Sequence, residues 1–180
     1  MNLTALVMIL LAGLLAGLAW WVRRREARLL ATIEVVTVAN FASRHLENER
    51  PLHIFLPPGY HETETRYPVL YLNDGQDVGQ LRLRETLARL TANGRLHPLI
   101  VVAIPTNADR LQEYGTAVAA NAQGLGQKAA QYNRFVVEEV RPWVNREFRT
   151  KTRVGETAVL GASLGGLAAF DLAWNHPDVF

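Results

Sequence analysis

Ser163 has the strongest chemical context of any residue in this chain. It lies in Gly161-Ala162-Ser163-Leu164-Gly165-Gly166, between the strand-like run Thr157 to Leu160 and the helix-like run Leu167 to Trp174. A serine hydroxyl is a poor nucleophile unless it is exposed, free of competing contacts and aligned with a base. A sharp strand-to-helix turn supplies the exposure, and glycines two positions either side let the backbone pass close to its neighbours. The helix start offers free amides and a positive dipole end to an oxyanion. The chemistry this predicts is attack on an acyl carbonyl. An ordinary helix N-cap is the competing reading, since serine favours that position; the strand before and the helix after favour the nucleophile.

Acyl transfer needs two amides aimed at the developing oxyanion, one from the residue after the nucleophile and one from an earlier loop at the same sheet edge. Leu164 would give the first. Asn73-Asp74-Gly75-Gln76-Asp77 follows the apolar run Val69 to Leu72, and the Gln76 N–H is the candidate for the second. Asp-Gly is equally a common turn pair, so spacing alone leaves a plain turn open.

The proton acceptor is harder to place. Asp171, His176 and Asp178 follow Ser163, and the sequence continues only 17 residues past it, to Phe180. Along a helix, His176 would stand on the order of 20 Å from the serine, against a hydrogen-bond reach of about 3 Å, which excludes it as the base. His45, His53, His61 and His97 precede the serine, each with an ordinary reading as a surface, strand-face or turn residue. His61-Glu62 lacks the second histidine four residues on that a metalloprotease helix uses, so no metal is expected, and no cofactor.

The elements that must hold these groups alternate along the chain. Ile33 to Val38 and Leu52 to Leu56 read as early strands, the second closed by Pro57, Pro58 and Gly59. Val69 to Leu72 is a third strand, and Leu83, Leu87 and Leu90 mark a helix stopped at Asn93-Gly94. Leu99 to Ile104 is unbroken hydrophobe, as a strand covered on both faces requires. Residues 105–126 read as a long loop. Tyr132, Val136, Val140, Val144 and Phe148 mark a helix that Pro142 should kink or divide. The order implies an α/β fold, a mostly parallel sheet with helices on both faces and ligands beyond the carboxyl ends of its strands.

At the amino end, residues 3–22 carry one clearly polar side chain, Thr4. About 20 residues at about 1.5 Å rise match the roughly 30 Å of bilayer hydrocarbon. Trp20 and Trp21, then Arg23, Arg24, Arg25 and Arg28, mark one flank. No basic side chain precedes the apolar run, which disfavours a cleaved signal peptide. The expectation is a single transmembrane anchor with its basic flank over 1–28, a linker over 29–31 and a folded domain over 32–180. Charge asymmetry puts that domain on the cytoplasmic side. With no cysteine among 180 residues, disulfides, a cysteine nucleophile and thiolate zinc sites are excluded. The arginine cluster carries more than the whole formal charge of +2, so the rest of the chain has no basic surplus and nucleic acid is not an expected partner.

Three blocks, FASRHLENERPLHIFLPPGY from Phe41, YPVLYLNDGQD from Tyr67 and GASLGGLAAFDLAWNHPDVF from Gly161, resemble in sequence and order the Putative esterase family of α/β-hydrolases. That family includes esterases of the enterochelin, feruloyl and S-formylglutathione type and the antigen 85 acyltransferases, and the resemblance covers most of residues 32–180. It implies Ser163 as nucleophile, the Gln76 and Leu164 backbone N–H groups as oxyanion hole, and a small-molecule ester as substrate. It also implies that Arg110, Glu113 and Tyr114 sit on a loop bordering the substrate cleft. In the family the acid and the histidine follow the serine. Residues 32–180 are therefore expected to be the front part of a hydrolase sheet, incomplete at the carboxyl end, inactive alone and finished by an unprotected edge strand. Acyl transfer to a sugar or lipid, and a non-catalytic membrane-tethered binding module, are the alternatives.

Overall fold

A computed structural model describes the backbone of residues 3–180, with side chains at residue 11 and from residue 13 onward. Five strands form: β1 (Glu34–Ser43), β2 (Asn48–Leu56), β3 (Val69–Asn73), β4 (Ile100–Ile104) and β5 (Thr157–Leu160). They make one sheet in the order β1-β2-β4-β3-β5. The β1–β2 and β2–β4 pairs are antiparallel, while β3–β4 and β3–β5 are parallel. The sheet is thus mixed rather than mostly parallel. Residues 44–47 are too short a link for a parallel crossover and fold β2 back on β1 as a hairpin.

Register fixes the two ends of the sheet. Val69 lies opposite Ile100 and Thr157, Phe55 opposite Val101, and Glu34 opposite Leu56, so Glu34 stands at the amino edge of the parallel strands. Leu72 lies opposite Ala103 and Leu160, so the segments after β3, β4 and β5 all leave at the carboxyl edge.

Every residue of β4 is buried, as its uninterrupted apolar sequence requires of a central strand. Its side chains alternate between two cores. Val101 and Ala103 pack with Ile33, Phe55, Leu72 and Leu87, beneath helix α2 (Leu83–Ala92) and the end of helix α1 (Leu3–Ala31). Ile100, Val102 and Ile104 pack with Tyr71, Tyr132, Phe135 and Leu172 on the other face. That face is covered by α4 (Ala129–Arg134), a π-helical turn (Phe135–Val140), α5 (Arg141–Glu147) and α6 (Leu164–Asn175). Pro142 sits in the first turn of α5. Having no N–H, it cannot donate back along the helix, and the division falls there, preceded by the widened turn. A short helix, α3 (Arg110–Glu113), interrupts the long segment after β4.

Of the expected membrane span over 3–22, residues 3–10 and 12 have side chains outside the described residues. Among the described residues, no helix is long and apolar enough to cross a membrane. At the far side of the sheet, β5 pairs only with β3 among the described residues, and Leu160 is 51% exposed. Beside it, Phe170 and Trp174 of α6 stack with ring centroids 5.8 Å apart while remaining 63% and 73% exposed.

Candidate active site

The turn between β5 and α6 holds Ser163 at φ 53° and ψ −124°, with its side chain exposed. A non-glycine residue in that region costs on the order of 1–3 kcal/mol and persists only where its surroundings enforce it. The enforcement comes from the flanking glycines. A Cβ on Gly161 would collide with the Gly165 carbonyl, and one on Gly165 would lie 2.5 Å from Asp74 Oδ2 and 3.4 Å from Asn73 Cβ. Ser163 makes no side-chain capping hydrogen bond to α6. Its hydroxyl is therefore not engaged as an ordinary N-cap's would be.

β3 neighbours β5, so the turn after Asn73 leaves the sheet beside the serine turn. Asp74 adopts a left-handed backbone at φ 59° and leads into the tight turn Gly75–Asp77. Only glycine fits at position 75, where a Cβ would meet the backbone nitrogens of Ile104 and Pro105 at 2.7 Å. The Gln76 side chain ties this turn to the end of β4: its Oε1 accepts from the Thr106 N–H at 2.9 Å, and its Nε2 donates to Asp74 Oδ1 at 3.0 Å. Among the described residues, neither the Gln76 nor the Leu164 backbone N–H donates to a protein acceptor. Both are left free for a ligand oxygen.

A polar network behind the turns fixes their relative positions. Arg110 grips the Asp74 carboxylate with two bonds, Nε to Oδ1 at 2.6 Å and Nη2 to Oδ2 at 2.9 Å. Burial alone would raise the Asp74 carboxyl, but the hydrogen bonds from Arg110 and Gln76 outweigh it and hold it below the usual carboxylate range. The Asp74 N–H donates to Tyr114 Oη at 3.0 Å. Tyr132 Oη donates to Asn73 Oδ1 at 2.6 Å, and Asn73 Nδ2 donates to the Gly165 carbonyl at 2.8 Å, fastening the first turn of α6 to the end of β3. Burial pushes both tyrosine hydroxyls well up, so they stay protonated.

Of the three expected border residues, Tyr114 lines the groove beside the serine turn, and Arg110 and Glu113 do not. Glu113 is fully buried and forms a two-bonded ion pair with Arg50 of β2, at 2.8 Å and 2.5 Å, while Tyr114 is buried under the Asp74 turn. Arg110 alone of the three is partly exposed, and it faces Asp74. A charge as costly to bury as Glu113 needs a paired cation, and Arg50 supplies it from a strand whose sequence gave no sign of the pairing. With Tyr114, the groove is lined by Val118, Ala119 and Leu125 of the same loop and by Leu164 and Leu167 of α6. Its character is apolar.

The histidines lie elsewhere. His45 Nε2 is 2.7 Å from Glu138, His53 Nδ1 is 3.1 Å from Thr37 Oγ1, and His61 Nε2 is 2.8 Å from Glu34. His97 is exposed before β4, at the amino edge, and His176 caps the far end of α6. Asp171 is buried and accepts from the Ala117 N–H at 3.0 Å, Asn133 Nδ2 at 2.8 Å and Asn175 Nδ2 at 3.0 Å, which makes it a brace between α6 and its neighbours. Asp178 is exposed beyond α6. Among the described residues, no side chain hydrogen-bonds Ser163 Oγ. The arrangement supplies an exposed hydroxyl and two free amides and, among the described residues, no proton acceptor.

An exposed serine on a strained strand-to-helix turn, at the carboxyl edge of a mixed sheet with helices on both faces, defines an α/β-hydrolase-like domain. The family model described as Putative esterase matches residues 43–180, and the chain belongs to that family. It is 27% identical over 143 residues to an uncharacterised protein of Bacillus subtilis, covering 77% of this chain and 56% of that one. It is 25% identical over 139 residues to an endo-1,4-beta-xylanase/feruloyl esterase of Xylanibacter ruminicola, covering 71% of this chain and 18% of that one. Among solved structures, an IroE-like serine hydrolase from Shewanella oneidensis superposes with a TM-score of 0.69 at 26% identity, over 82% of this chain and 48% of that one. The enterochelin esterase of Shigella flexneri gives 0.65 at 25%, over 83% of this chain and 34% of its own. The chain thus spans about half, or less, of the length of these relatives.

Proposed function

We propose that these residues are the front part of a membrane-anchored serine hydrolase of carboxylic esters that works through an acyl-enzyme. Ser163 Oγ attacks the ester carbonyl, the N–H groups of Gln76 and Leu164 receive the oxyanion, and the alcohol departs with the proton that a histidine took from the serine. Water then reverses the sequence to release the acid. The observation that carries this reading is the backbone of Ser163: a strained residue with an unengaged hydroxyl, held open by glycines on both sides. The acid and histidine belong to chain beyond residue 180, in keeping with the exposed edge at β5 and the length of the relatives. The apolar lining from Tyr114 to Leu167 suits an apolar acyl or alcohol group, such as the aromatic acid for which the feruloyl esterases are named. The anchor rests on the apolar run over 3–22 and its tryptophan and arginine flank, whose charge bias favours a cytoplasmic domain.

A non-catalytic binding module is the second reading, favoured by the absence of any imidazole beside Ser163 among the described residues. Ester hydrolysis by this chain and by the product of the gene read to its natural end, each beside Ser163→Ala, separates the two. Activity in the longer protein only, lost by a factor of about 10³ or more in the alanine variant, supports the esterase. Inactivity of both wild-type forms supports the binding module, and activity of the 180-residue form overturns the assignment of the missing base.

A further inference from the structure

The amino-terminal helix does more than precede the domain; it is docked on it in a definite direction. Leu30, near the end of α1, lines a groove with Arg82 and Glu85 at the start of α2. Trp21 and Arg25, further back along α1, line a second groove with Arg89, Ala92 and Asn93 at the end of α2. The two helices are therefore antiparallel. α2 ends at Ala92 and leads through residues 93–99 to the amino end of β4, so the stretch of α1 beside Ala92 and Asn93 lies toward the amino edge. Register places the other end of α1 at the same edge: Glu34, three residues after α1 ends, pairs with Leu56 there, and Arg84 Nε in the first turn of α2 donates to the Ile33 carbonyl at 2.8 Å.

We propose that the domain stands on the bilayer with the amino edge of its sheet toward the headgroups, so that Ser163 faces the aqueous phase and meets dissolved esters rather than the ester lipids of the membrane. This rests on the anchored serine-hydrolase reading given above. The surface at that edge has the chemistry of a headgroup contact. Arg24 stacks over Trp20 at 4.9 Å and Arg25 over Trp21 at 5.6 Å, pairing the ring that favours the interface with the charge that favours anionic phosphate. Arg28, Arg89 and Arg95 are exposed on the same side with Arg66, Lys151 and Arg153, against Glu26, Glu34, Glu62 and Glu64. Ser163 lies beyond the opposite ends of the strands. A five-residue strand is about 17 Å long, and with the turns beyond it the serine stands on the order of 20 Å from that edge. A glycerolipid ester seated in its leaflet is out of reach across that distance.

The chain has no cysteine, so single reporters can be introduced without background. Ala92→Cys marks the amino edge, and Val118→Cys, at a residue 89% exposed, marks the groove beside Ser163. Each variant, carrying a fluorophore and checked for native circular dichroism, is reconstituted into phosphatidylcholine–phosphatidylglycerol vesicles containing lipid spin-labelled at the headgroup. The expected result is loss of fluorescence at position 92 and none at position 118. Quenching at 118, or equal quenching at both, overturns the orientation while leaving the anchor intact. Protein that does not float with the vesicles removes the anchor itself, and the proposal with it. As a second readout, the vesicle-bound gene-length protein should cleave a dissolved aryl ester in preference to the phosphatidylglycerol around it; the reverse preference overturns the assignment of substrate.

Discussion

At Asp74 a left-handed backbone, a mostly buried carboxylate and a two-bonded guanidinium meet in one residue, and each depends on the others. The backbone aims the following turn, the carboxylate occupies the space that a side chain at position 165 would need, and Arg110 keeps the carboxylate ionised. Because the folded carboxyl titrates below its unfolded value, the unfolded chain takes up the proton first as pH falls. The stabilisation is complete above about pH 4 and is lost as pH drops through the lowered folded value. Asp74→Asn should cost about 1–2 kcal/mol at neutral pH, discounted because Arg110 is partly exposed, and its deficit should shrink in acid. Urea unfolding of both forms across that range measures it, and a deficit independent of pH would show the charge to be idle. Asp74 and Gly75 were legible as a turn, with Asn73 the last residue of β3 rather than part of it, and Ser163 as an exposed nucleophile candidate, because turn chemistry is local. Their partners were not, since Arg110, Tyr114 and Tyr132 lie 36 or more positions away and nothing in their own neighbourhoods marks them.

Among the elements, the hairpin and the segment after β4 are joined by one buried charge pair. Arg50 lies on β2, its side chain 1% exposed, and Glu113 ends α3 at 0%. Pairs of this kind contribute little net stability, yet removing one member strands the other. Glu113→Leu alone should therefore destabilise by about 3–5 kcal/mol, whereas Arg50→Met with Glu113→Leu should recover most of that loss. Recovery falls short of complete because Arg50 also donates to the Pro105 carbonyl at 3.3 Å. Thermal or urea unfolding of the two single variants and the double variant closes the cycle; additive losses would mean that the pair is not coupled. The strands and helices themselves follow from period-2 and period-3.6 patterns, and the central position of β4 from its unbroken hydrophobicity. Reversal of the first two strands escaped the alternation argument, since a hairpin edge and a crossover strand carry the same apolar pattern. What decides between them is the length of the link, four residues over 44–47.

For the molecule as a whole, the two sides of the sheet are finished differently. β1 is an edge with a register shift between Val38 and Phe41, an irregularity that discourages pairing with another sheet. β5 has no such device. It is a short strand bonded on one side, with Leu160 in solvent and the Phe170–Trp174 stack beside it, so backbone donors and acceptors adjoin an apolar surface. The 180-residue chain, held in mild detergent, should therefore self-associate through this side. Leu160→Lys with Trp174→Glu should shift it toward the monomer without loss of helix content, since both side chains are already in solvent. Light scattering against concentration measures the shift. Equal association of the variant and the parent would place the contact elsewhere and remove the β5 edge as its cause. In the gene-length protein the same two substitutions should act in the opposite sense, destabilising the fold. There the charges would be pressed against the chain proposed to lie beyond residue 180, and an unpaired buried charge costs several kcal/mol. One pair of side chains thus tests both the exposed edge and the identity of what covers it.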